Sequence, residues 1–337
     1  MIRLKDLLLR LTLSFFRERW KSESSFKVLI QVTPVFTQEK WIKLISSNLN
    51  LNQLDQVEIV FTKSRFGYLK NFIHSNYCFQ FGSGKRLKLY GGKDIYYPLR
   101  GQDGLNQEFK VNNRILSPKL DLVNKAIAEY CLGMAIISGR NLHLIMNSSQ
   151  NKEWNQKPAI TKGYQELSKQ KIGVLGYGAV GKEVIGMFEQ NGVKVACCSK
   201  SRELQIKTNL EYYSIDQLEQ FLSTIDILII AVSLNNQTRG MFSRPILDKL
   251  NARLLINVSR GEVFLESDLQ NWLQDNPEAL AILDVFSLEP LPRSSKFYSL
   301  QNCIVTPHVA GNIGLFRENI ILDFLDKLKD LLEKKPC

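Results

Sequence analysis

An α/β chain containing a doubly wound parallel sheet is the fold class this sequence predicts, and three observations predict it. The chain has 337 residues, 44% of them hydrophobic, which exceeds one average domain and is enough to bury real cores, so two domains are expected. Its second half carries five apolar, strand-length runs, "KIGVLGYG", "VKVACCS", "IDILIIAVS", "ARLLINVS" and "LAILDVF", most of them separated by helical segments. Strands that are apolar throughout are what a parallel sheet covered on both faces requires. The third observation is Gly176-x-Gly178-x-x-Gly181, placed where the first of these runs meets a helical segment.

The elements follow in order. In "MIRLKDLLLRLTLSFFRERW", Leu4, Leu8, Leu11 and Phe15 share one helical face, while Arg3, Lys5, Arg10, Arg17 and Arg19 surround it with positive charge. Residues 1–25 are therefore expected to form a helical extension, packed on its own protein, lying on a membrane surface or serving as an organelle transit peptide. Arg10 interrupts the apolar stretch and no small-residue cleavage site follows, which argues against a secretory signal. From Phe26, "FKVLIQV" reads as a buried strand and "VEIVF" as a second, and the glycines of "FGSGKRLKLYGGKD" mark tight turns. The strand order of this first domain, 26–121, is not readable. Near Leu122 one long apolar helix is expected through "VNKAIAEYCLGMAIISGRNLHLIM", ended by the polar "NSSQNKEWNQKP". The doubly wound domain then occupies 122–308.

Lys and Arg exceed Asp and Glu by 44 − 33 = 11, but the basic residues are scattered. Without a basic tail or stripe, anionic substrates and cofactors fit this charge better than nucleic acid. Six cysteines form no CxxC pair, which predicts free thiols in a reducing, cytoplasmic setting and no metal site, with organelle targeting by residues 1–25 left open. No apolar run reaches the ~18 residues of a membrane span.

A glycine fingerprint means little alone; its context gives it content. "KIGVLGYG" is a strand ending at the first glycine, and "AVGKEVIGMFEQNG" is a helix closed by Asn191-Gly192. Gly176 permits the tight turn, Gly178 lets backbone approach a pyrophosphate, and Gly181 lets helix and strand pack closely. A helix start at this point offers free amides and a positive dipole end to phosphate. Dinucleotide binding is expected. After the second strand, Ser199, Lys200 and Arg202 stand where an NAD site usually carries a carboxylate. Such donors suit a 2′-phosphate, so NADP(H) is favoured, with NAD(H) possible and a solvated charged loop as the alternative.

Downstream stand "LLINVSRGEVF", "LDVFSLEPLP" and "IVTPHVAGN". Arg260 and His308 each follow a strand candidate directly, and Glu289 lies a few residues past another, on the side of an open sheet where ligands bind. Of the three histidines, His74 and His143 sit in segments with no other polar chemistry and read as surface or packing residues. The order strand, GxGxxG, "NVSRG", "DVFxxEPLP", "TPH" resembles the D-isomer-specific 2-hydroxyacid dehydrogenase family, and within it the glyoxylate/hydroxypyruvate reductases. The resemblance covers about 122–312, including "AEYCLGMAIISGRNL" and "TRGMF".

That resemblance implies a Rossmann-type doubly wound domain inserted into a flavodoxin-like α/β substrate domain, the latter completed by 309–337. It implies hydride transfer between NAD(P)H and the 2-carbon of a small 2-oxo or 2-hydroxy acid, with Arg260, Glu289 and His308 as the catalytic set. Arg260 would grip the substrate carboxylate with its rigid fork. His308 would exchange the proton, since an imidazole titrates near neutrality, and Glu289 beside it would favour the imidazolium. Ala179 and Val180 would lie against the pyrophosphate, and Val232, Val258 and Ser259 would line the rest of the cleft. Asp284 would sit near the nicotinamide carboxamide, or else cap a turn. A homodimer built around the helix near 122–146 is also implied.

The substrate-binding loop matches less well. "QFGSGKRLKL" retains Ser83-Gly84, but Lys85 and Arg86 stand where the family has an apolar residue and an aspartate. Two other functions remain open at this level: a dinucleotide-sensing scaffold of the corepressor kind, and a dehydrogenase of another small anion.

Overall fold

The computed structural model describes residues 26–333 apart from 33–36, 63–67, 69–70, 73, 81–90, 99–104, 106, 119–120, 151, 158–164, 201–209 and 313–315. The chain divides into two compact units, Met1–Leu120 with Gly314–Cys337, and Asp121–Ile313. The second unit is therefore inserted into the first.

The first unit is built on five short strands, β1 (Phe26–Gln31), β2 (Val57–Thr62), β3 (Tyr77–Phe79), β4 (Asp94–Tyr96) and β5 (Arg114–Leu116). All pairs are parallel in the order β2-β1-β3-β4-β5, the flavodoxin-like order that the sequence left unread. An aromatic cluster closes one face. Phe324, on the C-terminal helix Phe316–Glu333, stacks on Tyr77 at 4.4 Å and meets the edges of Trp41 and Tyr96 at 5.1 and 5.3 Å. The phenols are satisfied: Tyr77 donates to the Phe324 carbonyl at 3.2 Å and Tyr96 to Asp323 Oδ2 at 2.8 Å. Large apolar rings with bonded polar tips explain why the last helix of the chain belongs to the first unit.

The second unit holds β6 (Lys171–Leu175), β7 (Lys194–Ser199), β8 (Glu211–Ser214), β9 (Ile227–Ile230), β10 (Leu254–Asn257), β11 (Leu280–Leu283) and β12 (Cys303–Val305). They form one parallel sheet in the order β12-β11-β10-β9-β6-β7-β8. The chain winds outward from β6 in one direction to β8 and then, from β9, in the other to β12, so the switch point lies between β6 and β9, where doubly wound folds bind ligands. The central strands β9, β10 and β11 are buried at every position, as their unbroken apolar text requires. The edge strand β8, "EYYS", has no apolar run and was not legible as a strand.

The single long helix expected from Leu122 is two helices, Asp121–Gly139 and Leu142–Gln150. A side chain at Gly139 would meet the Gln165 carbonyl at 2.8 Å, so another segment of backbone lies against the helix there. Asn141 then turns the chain with φ 53, a left-handed conformation that asparagine tolerates better than most residues. Apolar residues continue across this break, Leu142, Leu144, Ile145 and Met146 following the buried positions of the first helix, so the pattern alone does not mark it.

Among the described residues Cys78, Cys131, Cys197, Cys198 and Cys303 are free thiols. Burial pushes Cys197 and Cys198 up to about 12, which marks them as packing residues rather than nucleophiles. No described helix is long and apolar enough to cross a membrane, and no described group of His, Cys, Asp and Glu is arranged to hold a metal.

Candidate active site

The glycine turn after β6 is sterically determined. Gly176 has φ +106, and a Cβ there would meet the Ala231 carbonyl oxygen at 2.7 Å, while a Cβ on Gly181 would sit 2.0 Å from the Gly176 carbonyl oxygen. Both positions exclude any larger residue. Gly178 differs, because a Cβ there would meet nothing within 4 Å. The helix Ala179–Gln190 starts at Gly178 with no side-chain cap and no acidic residue in its first turn. Uncapped amides of Ala179, Val180 and Gly181, with open space in front of Gly178, fit a diphosphate. Val232, after β9, packs its Cγ1 3.1 Å from the place a Gly176 Cβ would take, so it flanks the same turn.

At the end of β7 the Ser199 residue is buried and Lys200 is exposed. Lys200 Nζ hydrogen-bonds Gln237 Oε1, a neutral partner that steadies the ammonium without cancelling its charge. The Gln237 loop is itself held by an Asx turn, with Asn235 Oδ1 accepting from the Gln237 and Thr238 amides at 2.8 and 3.1 Å. Arg202, Ser83, Gly84, Lys85, Arg86 and the amino-terminal extension lie outside the described residues.

Arg260 stands three residues beyond β10 on a loop organised by Asn257. Asn257 is 1% exposed; its Oδ1 accepts from the Ser259 amide at 3.0 Å and hydroxyl at 2.8 Å, and its Nδ2 donates to the Arg260 carbonyl at 2.9 Å. Val258, half-buried, links back to the Ile230 carbonyl at 3.3 Å. The half-buried Arg260 directs Nη1 to the Ser259 carbonyl at 2.7 Å. Gly261 lies so close to the next loop that a Cβ would fall 2.0 Å from the Phe286 carbonyl carbon. The "TRGMF" segment braces the far side, with Gly240 N–H donating to the Glu262 carbonyl at 2.8 Å and Phe242 N–H to Val263 at 3.0 Å.

The loop pressed against Gly261 carries Glu289. Glu289 Oε1 accepts from the Phe286 amide at 2.9 Å, and Oε2 lies 2.7 Å from His308 Nδ1. One carboxylate oxygen is thus anchored while the other orients the imidazole, and Nε2 is the ring nitrogen turned away from that contact. His308 is half exposed at 51% and Glu289 at 35%, so the pair is open to a reactant. His308 adopts φ 54, which costs a non-glycine residue ~1–2 kcal/mol and persists only where the surroundings impose it.

Asp284 imposes it. Its Oδ1 accepts from Thr306 Oγ1 at 2.6 Å and from the Val309 amide at 2.9 Å, and its Oδ2 accepts from the Ala310 amide at 2.9 Å. The Asp284 carbonyl takes the His308 amide at 2.9 Å. These bonds cap the turn, in a residue only 2% exposed.

The fold thus joins Glu289 to His308 directly and Arg260 to them through Gly261, and it gathers Gly176, Gly178, Ala179, Val180, Gly181 and Val232 at the switch point. His74 is exposed and His143 half-buried. Sequence reading missed Asn257 and Thr306. The available signal for Asn257 was a polar residue closing the apolar run "LLIN", since a buried amide must find partners. Thr306 gave no comparable signal.

Comparison with known proteins follows the geometry. A family model described as D-isomer specific 2-hydroxyacid dehydrogenase, NAD binding domain, matches residues 132–310, more than half of the chain. A glyoxylate/hydroxypyruvate reductase A of Yersinia enterocolitica is 34% identical over 184 residues, covering 54% of this chain and 57% of that protein. A probable 2-ketogluconate reductase of Dictyostelium discoideum is 30% identical over 221 residues, covering 64% of this chain and 66% of that protein. The chain thus aligns with less than two thirds of the length of either relative. The solved NADPH-dependent glyoxylate/hydroxypyruvate reductase of Sinorhizobium meliloti, in complex with NADP and sulfate, shares the fold with a TM-score of 0.74, covering 93% of this chain and 96% of that one at 20% identity.

Proposed function

This chain belongs to the D-isomer-specific 2-hydroxyacid dehydrogenase family, and we propose that it is an NAD(P)H-dependent reductase of a small 2-oxo acid of the glyoxylate or hydroxypyruvate kind. The observation that carries the proposal is the His308–Glu289 contact at 2.7 Å on a loop packed against the one that bears Arg260. A reductase of a 2-oxo acid needs a cation for the carboxylate, a proton donor for the carbonyl oxygen and a carboxylate to orient that donor. Arg260, His308 and Glu289 supply them.

The amides of Ala179, Val180 and Gly181 would hold the cofactor's diphosphate, and the bound nicotinamide would supply the hydride. Arg260 fixes the substrate carboxylate through paired charge-assisted bonds and so orients the carbonyl. Imidazolium His308, with Nδ1–H donated to Glu289, delivers its Nε2 proton to the carbonyl oxygen; in the oxidative direction the neutral imidazole takes that proton back. Ser83 and Gly84 are assigned to the substrate carboxylate by resemblance alone. The complete set of Arg260, Glu289 and His308 gives a dinucleotide-sensing scaffold no support.

The test is nicotinamide absorbance with NADPH and then NADH against glyoxylate, hydroxypyruvate, pyruvate, phenylpyruvate and oxaloacetate. Turnover of one of these is expected. Cofactor binding without turnover of any 2-oxo acid would overturn the reductase.

NADP(H) is the preferred cofactor in this proposal, on the lack of a carboxylate before Glu203 after β7 and the presence of Ser199, Lys200 and Arg202; the solved relative from Sinorhizobium meliloti holds NADP. Lys200→Ala is expected to raise the KM for NADPH by roughly tenfold, the worth of one bond to a charged group, and to leave the KM for NADH unchanged. Equal effects on both cofactors in steady-state kinetics would remove Lys200 from the 2′-phosphate.

The working form in this proposal is a homodimer in a reducing, cytoplasmic setting, the setting that free buried thiols suit. Ile136, Leu142, Met146 and Trp154 are 44%, 36%, 58% and 92% exposed along two consecutive helices and the segment after them, a concentration of apolar surface that favours a second copy as cover. Ile136→Asp combined with Met146→Asp is expected to halve the mass seen by sedimentation velocity. A wild-type monomer, or a double variant that remains dimeric, would remove this face from the interface.

A further inference from the structure

We propose that Tyr130 is a positioning residue for the proton donor: through Thr306 and Asp284 it locks the turn that carries His308. The inference rests on the assignment of His308 above and adds a residue from a distant helix to its support. Tyr130 lies on the helix Asp121–Gly139, and its hydroxyl is 2.8 Å from Thr306 Oγ1.

Counting hydrogens fixes the direction of the chain of bonds. Thr306 has one hydroxyl hydrogen, and the Asp284 carboxylate, 2.6 Å away, is an acceptor, so Thr306 donates to Asp284. The bond between Tyr130 and Thr306 must then run the other way, with the phenol donating. Burial pushes the Tyr130 phenol above its ordinary value, which keeps it a donor at every pH where the protein would work. Donation from Tyr130 polarises the Thr306 hydroxyl and strengthens its bond to Asp284. Asp284, held in this way, presents its two oxygens to the amides of Val309 and Ala310, the residues that follow His308.

The same helical face makes a second contact with this turn. A Cβ on Gly311 would meet Val123 Cγ1 at 3.0 Å and Ile127 at 3.5 Å, so the backbone just past Ala310 rests on side chains seven and three residues before Tyr130, on the same helical face. The apolar pair sets the distance of the turn from the helix; the phenol sets its polar anchor. A left-handed histidine is kept where it is only by such over-determination. When the anchor goes, the turn relaxes and the His308–Glu289 alignment goes with it.

The test uses Tyr130→Phe, Thr306→Val and Thr306→Ser in the full chain. Tyr130→Phe keeps the ring and is expected to lower kcat by roughly 3- to 10-fold while both KM values stay within about twofold, because a donor that is slightly misplaced loses rate and not ground-state binding. Thr306→Val should do at least as much, and Thr306→Ser, which restores the hydroxyl, should return kcat to near the wild-type value. Hydrogen exchange of the Val309 and Ala310 amides is the second readout, expected to speed up in Tyr130→Phe and Thr306→Val but not in Thr306→Ser. Unchanged kcat and unchanged exchange in Tyr130→Phe would overturn the inference, and so would a serine variant that fails to recover. If the wild-type protein reduces no 2-oxo acid, the reading of His308 as donor has failed, whereas the amide exchange still reports whether Tyr130 locks the turn. Should Thr306→Val not fold, the other two variants carry the test.

Discussion

His308→Ala is expected to lower kcat for 2-oxo acid reduction by ~100 to 10,000-fold, the usual loss when a positioned general acid is removed. Cofactor affinity, measured by calorimetry, should stay within about twofold, since the amides at the Gly176–Gly181 turn are untouched. The reason for so large an effect is geometric. His308 Nδ1 is already committed to Glu289 at 2.7 Å, and the turn that carries it is tied down by Asp284, so the imidazole is held in one orientation and its removal deletes a positioned group. A variant that keeps more than about a tenth of wild-type kcat would remove His308 from the chemistry.

Arg260→Lys is the second large effect. Lysine keeps the charge, but it is a point cation on a flexible stem, whereas the guanidinium offers a planar fork matched to a carboxylate. We expect kcat/KM for the oxo acid to fall by roughly 100-fold or more, with both kcat and KM affected because the carboxylate grip also orients the carbonyl. The protein should remain folded: the loop is set by Asn257 and by Gly261, neither of which needs the Arg260 side chain. Equal kcat/KM in the wild type and the lysine variant would show that charge alone suffices, and the fork argument would be lost. An unchanged KM for NADPH in the same preparation would separate substrate binding from cofactor binding.

The second unit was legible because its physics is local. A parallel strand covered on both faces has to be apolar throughout, so "DILIIAVS" and "RLLINVS" announce themselves, and a turn in which a Cβ would fall 2.0 Å from a carbonyl oxygen has to be glycine, so Gly181 does too. The first unit was less legible because its strands β3, β4 and β5 are three residues each and carry no period. Their order depends on which helix covers which face, and one of the covering helices, Phe316–Glu333, arrives from the other end of the chain. The long helix near Leu122 was misread because hydrophobic periodicity reports a buried face and is silent on a single residue, Asn141, that turns left.

By itself the sequence determined the fold class and the glycine turn at the switch point, and it singled out Arg260, Glu289 and His308 as the residues for which catalytic roles are proposed. Each of these is constrained by its immediate neighbours or by its place after a strand. Only the tertiary structure shows that Asp284 anchors a turn, that Asn257 organises the Arg260 loop, and that Tyr130, 178 positions before His308 by their numbers (308 − 130), hydrogen-bonds Thr306 beside that turn. The physical reason is that hydrogen-bond partners are chosen by distance in space. The turn bonds of a carboxylate at the end of a strand depend on what the adjacent strands β11 and β12 bring within 3 Å of it.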